Sequence, residues 1–298
     1  MSRAFVVVNP AAGGGRTRRL WPGIERGLRR SGLEIEWAET AGAGSATALA
    51  RRAAADGWPL VVAVGGDGTV NEVVDGLADP AGRPLVAFGA IQTGRGRDAA
   101  RNLGIPADRD AAIERLARGG DALVDLGVAE WRGAAPRCFV NSAGAGFDAS
   151  VVRRAERIRG PGTLPYVAGI LLALRRHAPA SAAIHIDGHP AWTGFLTAAV
   201  VANGPFYGGG MKIAPDAAAD DGLLDLVILG ALGRAELLAW LPAVYRGAHL
   251  ANAKVTTRRG REIAIETDPP VPVHLDGEAV ATTPIRITIR PAALRVRR

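Results

Sequence analysis

The sequence predicts a doubly wound α/β domain followed by a β-rich domain, and three observations carry that prediction. Short apolar runs alternate with helical spacings through the first half; two of these runs end directly in glycine-rich loops; and near residue 128 the pattern turns to short alternating strands. A chain of 298 residues, 48% hydrophobic and 22% charged, is long enough for two domains and apolar enough to pack them. The single cysteine, Cys138, excludes a disulfide framework. The opening MSRAFVVVNP turns polar too soon for a signal peptide, and runs such as Phe195–Ala202 fall far short of the ~20 residues of a membrane helix. A cytoplasmic globular protein is expected.

Ala4–Val8 is a buried-type strand ending at Asn9-Pro10 and the glycines Gly13, Gly14 and Gly15. Leu20, Ile24 and Leu28 give Arg18–Ser31 a helical face, closed by Gly32. Leu33–Trp37, Leu60–Val64 and Leu85–Gly89 read as further strands, with helices over Ser45–Asp56, Val70–Leu77, Ala99–Leu103 and Ala111–Ala117. Such alternation implies a sheet that binds ligands at the carboxyl ends of its strands. Beyond it, strands are expected at Ala183–Ile186, Thr197–Val201, Leu224–Leu229, Glu262–Glu266, Val271–Leu275 and Ile285–Ile289. Asp187-Gly188, Asp221-Gly222 and Asp276-Gly277 supply hairpins or tight bends, and helices are expected only at Leu164–Arg176 and Arg234–Arg246.

The most informative stretch is VVAVGGDGTVNEVVDG, Val61 to Gly76. A buried strand runs into Gly65, Gly66, Asp67, Gly68 and Thr69 and then into a helix, so glycines admit an anion to the unpaired N–H groups of a helix start. Thr69 adds a hydroxyl, and Asp67 suits a metal held through water; an ordinary βα turn has the same composition. A second glycine-rich turn, Asn9 to Arg16, forms a phosphate cradle with the first if the two strand ends are neighbours. The P-loop pattern is absent, since Gly210-Met211-Lys212 continues into Ile213, and Gly144-Ala145-Gly146 lacks the third glycine of a dinucleotide fingerprint.

Seven motifs then fall in one order: Asn9-Pro10 with its glycines, Gly65–Thr69, Asp125-Leu126-Gly127, Asn141 with Gly144-x-Gly146-x-Asp148-Ala149, NGPFYGGGM at Asn203–Met211, Pro215-x-Ala217 leading to Asp221-Gly222, and Asp276-Gly277-Glu278. That series resembles the diacylglycerol kinase catalytic family over nearly the whole chain, and most of all its soluble bacterial lipid kinases, relatives of sphingosine and ceramide kinases and, more distantly, of NAD kinases. The resemblance implies an α/β ATP-binding domain over residues 1–128, to which a tail from Pro291 to Arg298 returns, and a β-sandwich substrate domain over 129–290. ATP phosphates would lie against Asn9, Gly13, Thr40 and the Gly65–Thr69 loop, with Gly94 and Arg95 beside them. Asp67, Asp98 and Asp125 would anchor the waters of a catalytic Mg²⁺. Asp276 would be the base that deprotonates a lipid hydroxyl, Glu278 would support the phosphate–metal arrangement, and Asp221 with the backbone of Ala218 and Leu223 would hold a structural cation. Taken alone, Asp276-Gly277 also reads as a hairpin turn.

The chemistry agrees with these assignments. Phosphoryl transfer needs an oriented hydroxyl and neutralised phosphate oxygens more than covalent help, and Mg²⁺ keeps several waters and few protein ligands. One departure stands out. The family's Gly-Thr-Gly-Asn-Asp-Phe-Ala-Arg is here Gly94-Arg95-Gly96-Arg97-Asp98-Ala99-Ala100-Arg101 after Thr93. Two guanidiniums clamp phosphate well, and equally crowd a metal site. The formal charge of +7 is carried by arginine, the only lysines being Lys212 and Lys254. Arg153, Arg154, Arg157 and Arg159 precede the apolar stretch Tyr166–Leu174, a pairing suited to transient contact with the anionic inner surface of a membrane or to a solvated helix beside a core helix. Lys212 fits a phosphate contact or plain surface. The five histidines lack metal-ligand spacing and read as structural, Cys138 reads as a buried strand residue, and no basic-aromatic stripe points to nucleic acid. A homodimer stays open. The leading expectation is an ATP- and Mg²⁺-dependent lipid kinase; a kinase of a soluble hydroxyl compound and a lipid- or nucleotide-binding protein without turnover are the alternatives.

Overall fold

The structure, a computed structural model, describes residues 3–79, 81–94, 96–158 and 164–298. Its first layer alternates β1 (Arg3–Val8), α1 (Ala12–Arg30), β2 (Glu34–Glu39), α2 (Ser45–Ala55), β3 (Leu60–Gly65), α3 (Asp67–Leu77), β4 (Ala87–Gln92), α4 (Asp98–Leu103) and α5 (Arg109–Arg118). The strands pair in parallel in the order β2-β1-β3-β4. Every residue of β3 is buried, as a strand covered on both faces requires. Leu60, Val62 and Val64 face the layer of α1 and α5, with Trp21, Ile24, Leu28 and Ile113. Val61 and Ala63 face α2 and α3 through Ala46, Ala50, Val70 and Val74. Helices on both faces make this a doubly wound sheet.

Then come β5 (Asp121–Glu130), β6 (Arg137–Phe139), β7 (Ser142–Gly146), α6 (Phe147–Ala155), α7 (Leu164–Arg175), β8 (Ala180–Ile186), β9 (His189–Leu196), β10 (Ala198–Ala202), β11 (Phe206–Tyr207), β12 (Met211–Lys212), β13 (Leu224–Leu229) and α8 (Arg234–Val244). The chain ends with β14 (Val255–Gly260), β15 (Glu262–Asp268), β16 (Pro272–Leu275), β17 (Glu278–Thr282) and β18 (Ile285–Arg297). A sheet ordered β14-β13-β10-β7-β16-β17 packs on β18-β15-β8-β9 through Ile184, Val201, Leu226, Ile265, Val273 and Ile287, giving the β-sandwich.

Strand β18 belongs to both halves. Its first part pairs with β15 and β5, and its last part lies parallel to β4, Arg295 opposite Ala87 and Val296 opposite Phe88. The pairing with β5 is broken between Arg290 and Leu294, where Ala292 takes a left-handed φ of 51°.

Several elements differ from the sequence expectation. α1 is assigned from Ala12, but Gly13, Gly14 and Gly15 are left-handed, so its regular part starts at Arg16. The fourth strand runs from Ala87 rather than Leu85, whose side chain stays exposed beyond Pro84. β7 (SAGAG) and α6 went unpredicted, because alanines and glycines supply little hydrophobic periodicity. Asp187-Gly188 and Asp276-Gly277 close hairpins with positive φ at both residues, whereas Asp221-Gly222 forms a bend. Among the described residues no helix is long and apolar enough to cross a membrane.

Candidate active site

The site begins at the carboxyl edge of the parallel sheet. Because β1 and β3 are neighbours, their loops touch: Asn9 Nδ2 donates to Thr69 Oγ1 at 2.9 Å, while Asn9 Oδ1 accepts the Ala11 amide at 3.1 Å. Thr40 continues the same edge, its amide bonded to the Val8 carbonyl. Gly66 and Gly94 lie back to back; a Cβ on Gly94 would sit 2.9 Å from Gly66 Cα, so only glycine lets these loops close. The three left-handed glycines after Asn9 and the helix start at Gly66–Thr69 surround this edge with backbone N–H groups, a cradle for phosphate.

Asp67 turns from the cradle toward the end of β4 and the start of α4. Its Oδ1 accepts Gln92 Nε2 (2.9 Å) and the Ala99 amide (3.3 Å), and Oδ2 accepts the Arg97 amide (3.1 Å). Asp98 is buried, with Oδ1 on Arg101 (2.8 Å) and Oδ2 on the Gly209 amide (2.6 Å). A Cβ built on Gly96 would lie 2.6 Å from Asp67 Oδ2 and 3.9 Å from Asp98 Oδ2, so both carboxylates converge on one backbone point. Burial pushes the Asp98 carboxyl above its usual range and the Asp67 charge pushes it further, against the Gly209 amide and Arg101. Two carboxylates that repel across a narrow gap fit a divalent cation with retained waters.

Across the cleft, Asp276 sits in the β16–β17 turn with its carboxylate in a nest of three amides: Val140 (2.8 Å), Asn141 (2.9 Å) and Ser142 (2.9 Å). Burial pushes this carboxyl up, the amides and His274 opposing it. Ser142 Oγ is buried with no hydrogen-bond partner among the described residues. Asp67, Asp98, Ser142, Asp148, His274 and Asp276 all line one cleft of about 590 Å³. That cleft adjoins an apolar chamber under α7 and α8, walled by residues such as Phe147, Ile170, Val200, Met211, Leu237 and Val244. A phosphate cradle, paired acids, a carboxylate held by three amides and an apolar chamber thus lie in sequence.

The diacylglycerol kinase catalytic domain model matches residues 3–129, and the YegS C-terminal NAD kinase beta sandwich-like domain model matches residues 141–298. The chain belongs to the diacylglycerol kinase family. It is 31% identical to a protein named diacylglycerol kinase from Mycobacterium tuberculosis over 300 residues, covering all of this chain and 96% of that one. It is 30% identical to a diacylglycerol kinase from Bacillus subtilis, covering 93% of this chain and 90% of the relative. In fold it resembles a diacylglycerol kinase crystal structure from Bacillus anthracis (TM-score 0.72, 21% identity, 99% and 96% covered). An NAD kinase from Archaeoglobus fulgidus crystallised with ATP has the related fold (TM-score 0.50, 16% identity, 99% and 92% covered).

Within this diacylglycerol kinase family member, Asn9, Gly13, Thr40, Gly65–Thr69 and Gly94 gather at the sheet edge, and Asp67, Asp98 and Asp276 face the cleft. Arg95 lies outside the described residues, as does Arg159. Arg97 does not reach the acids: its guanidinium bonds to the Gly94 and Ala107 carbonyls, and only its backbone amide holds Asp67. Asp125 stands apart from the cleft-lining residues, with Oδ1 on the Ala292 amide and Oδ2 on the Gly222 amide, both at 2.7 Å. Glu278 is also turned away, bonded by both carboxylate oxygens to Arg137 at 2.8 and 3.2 Å. Asp221 pairs with Arg259, which also reaches Asp225 at 3.1 Å, and its other oxygen takes the Leu223 amide. A cation at Asp221 and the Ala218–Leu223 backbone therefore has to displace a guanidinium. Lys212 is outside the cleft lining, and burial with the nearby Asp75 pushes the Cys138 thiol up to about 11, away from nucleophilic use. The sequence reading passed over His274 and gave Asp148 no role. The available signal was proximity: His274 lies two residues before the Asp276-Gly277 turn.

Proposed function

We propose that the protein is an ATP-dependent lipid kinase that moves the γ-phosphate of ATP to the hydroxyl of diacylglycerol or a similar lipid alcohol, yielding phosphatidic acid or its analogue. The observation that carries this reading is that the acid-lined cleft and an apolar chamber share a wall that includes Asp148, Ile170 and Met211, an arrangement suited to a tail in one and a hydroxyl in the other. The Gly13, Gly14 and Gly66–Thr69 amides receive the phosphates, with Asn9 and Thr69 fixing the loops to one another. Asp67 and Asp98 would hold Mg²⁺ through water, and that ion would neutralise phosphate charge. Asp276 accepts the proton from the acceptor hydroxyl as its oxygen attacks phosphorus and the bond to ADP breaks. Its raised proton affinity suits that task, and the amide nest fixes its direction.

The helices that line the chamber support access from a bilayer. Leu164, Val167 and Leu171 expose one stripe of α7 at helical spacing, Leu238 and Tyr245 are exposed beside them, and Arg153, Arg154 and Arg157 stand close in sequence. An apolar stripe beside arginines matches an anionic membrane surface. The test is transfer of labelled γ-phosphate to diacylglycerol in mixed micelles with Mg²⁺, beside Asp276→Asn. Labelled lipid that the variant abolishes supports the reading. Labelling that survives removes Asp276 as the base, and no labelled lipid with ATP still bound points to a soluble acceptor or to a binding protein.

A further inference from the structure

Asp148 holds a position no other acid shares: among the described residues it is the one carboxylate lining both the acid cleft and the apolar chamber. It stands at the throat between them, in the first turn of α6, with Oδ1 on its neighbour's amide, Ala149 N, at 2.8 Å. Its Oδ2 meets His274 Nε2 at 3.1 Å. The tautomer follows from the other ring nitrogen: His274 Nδ1 accepts the Gly277 amide at 3.3 Å, which leaves the proton on Nε2, directed at Asp148. His274 is 2% exposed, and the Tyr207 ring lies parallel to it. The backbone is cut to fit the pair. Gly144 is the β7 residue opposite His274, and a Cβ there would lie 2.0 Å from Asp148 Oδ2 and 2.4 Å from His274 Nε2. The same hairpin carries Asp276, so His274 ties the throat acid to the residue placed as the base.

We propose that Asp148, held in place by His274, is the specificity residue for the acceptor: its carboxylate at the throat admits the uncharged head of a lipid alcohol and turns away anionic head groups. This rests on the lipid-kinase reading above. A lipid whose tail fills the chamber has to carry its head past this carboxylate, so a neutral head passes without a charge penalty, while a phosphodiester meets a like charge. His274 acts through Asp148 and is a positioning residue.

The experiment compares dioleoylglycerol with dioleoyl phosphatidylglycerol, which also offers free hydroxyls, at equal mole fraction in non-ionic micelles with labelled ATP. The full chain is expected to favour the neutral lipid by about 100-fold in kcat/KM. Asp148→Asn is expected to shrink that ratio by about 10-fold or more, with the KM for ATP unchanged. His274→Leu is expected to raise the KM for dioleoylglycerol by about 10-fold with kcat held, and His274→Gln, which keeps an N–H donor, to restore it. Equal turnover of both lipids by the full chain overturns the proposal, and so does an Asp148→Asn variant that loses both activities by one factor. Turnover of dioleoylglycerol without discrimination refutes the role of Asp148 alone; labelling of neither lipid while ATP binds refutes the lipid-kinase reading as well.

Discussion

Asp125 separates a structural role from a metal role, and the structure sets the size of the effect. Its two carboxylate oxygens each take one backbone amide at 2.7 Å, Ala292 on the interrupted part of β18 and Gly222 on the Asp221 bend, and the residue is 2% exposed. Hydrogen bonds to a charged acceptor contribute roughly 1.5–3 kcal/mol each. Asp125→Asn keeps one oxygen, now neutral, and turns an NH₂ toward the second amide. One bond is weakened, one is lost, and a buried N–H is left unpaired at about 1–3 kcal/mol. At the lower ends of these figures the sum is about 3 kcal/mol of destabilisation. With a urea slope near 3 kcal/mol/M for a chain of this size, the midpoint is expected to fall by about 1 M. The Mg²⁺ concentration for half-maximal phosphoryl transfer is expected to stay within about twofold, because the carboxylate is outside the cleft lining. A urea midpoint that holds while the Mg²⁺ requirement climbs about 10-fold would refute this reasoning and return Asp125 to the metal network.

The acid limb of kcat/KM should lie above the usual aspartate range of about 4, because burial raises the Asp276 and Asp98 carboxyls; a limb at or below that range rules out a raised base. The same shifts have a stability consequence of fixed sign. Just above pH ~4 the unfolded chain has released protons that the folded chain still binds, so these two groups make stability fall as pH rises through that window, and urea midpoints across it test this. Arg259→Met frees Asp221 and Asp225 from their guanidinium and should cost about 1 kcal/mol, a small figure because the arginine is partly exposed. Added Mg²⁺ or Ca²⁺ should then raise the thermal midpoint of the variant and leave that of the parent unmoved; a rise in the parent shows that a cation displaces Arg259. Leu171→Glu, on the most exposed position of the α7 stripe, should reduce partitioning onto anionic vesicles by about 10-fold with ATP binding intact, and equal vesicle binding removes α7 from the docking face.

The parallel layer was legible because a strand buried on both faces has to be apolar throughout, as in Leu60–Val64, and because phosphate loops are marked by glycines that no other residue replaces. The second domain was legible only where β-branched runs recur. β7 is built from serine, alanine and glycine, since His274 and Asp148 have to close over Gly144, and a strand made small for that reason loses its hydrophobic signature. The candidate site divides on the same line. Asp67, Asp98 and Asp276 could be read from their motifs, whereas the partners of Asp125 and Glu278 are 97 or more residues away and that of Asp221 is 38 away on β14, and no local spacing encodes such pairings. Arg97 illustrates the limit from the other side: its type departs from the family pattern, yet its contribution to Asp67 is a backbone amide that any residue supplies.

The joint between the two domains constrains how such a kinase closes. A flexible linker is the usual hinge, but here β5 and β18 run as one antiparallel pair from the sandwich into the parallel sheet, with β18 finishing beside β4. Bending that ladder across its length breaks backbone hydrogen bonds on both strands, so rotation is confined to the interruption between Arg290 and Leu294, where the register already slips. Asp125 pins that interruption through Ala292 and, through Gly222, pins the bend that carries Asp221. Those contacts resist rotation of the cleft walls, and under the proposed function admission of an acceptor would fall to α7 and α8, which line the chamber through Ile170, Leu174, Leu237 and Leu241. A disulfide or crosslink across β5 and β18 should leave turnover intact, while one that joins α7 to α8 should abolish lipid phosphorylation and spare ATP binding; the opposite pattern would make the strand pair the hinge.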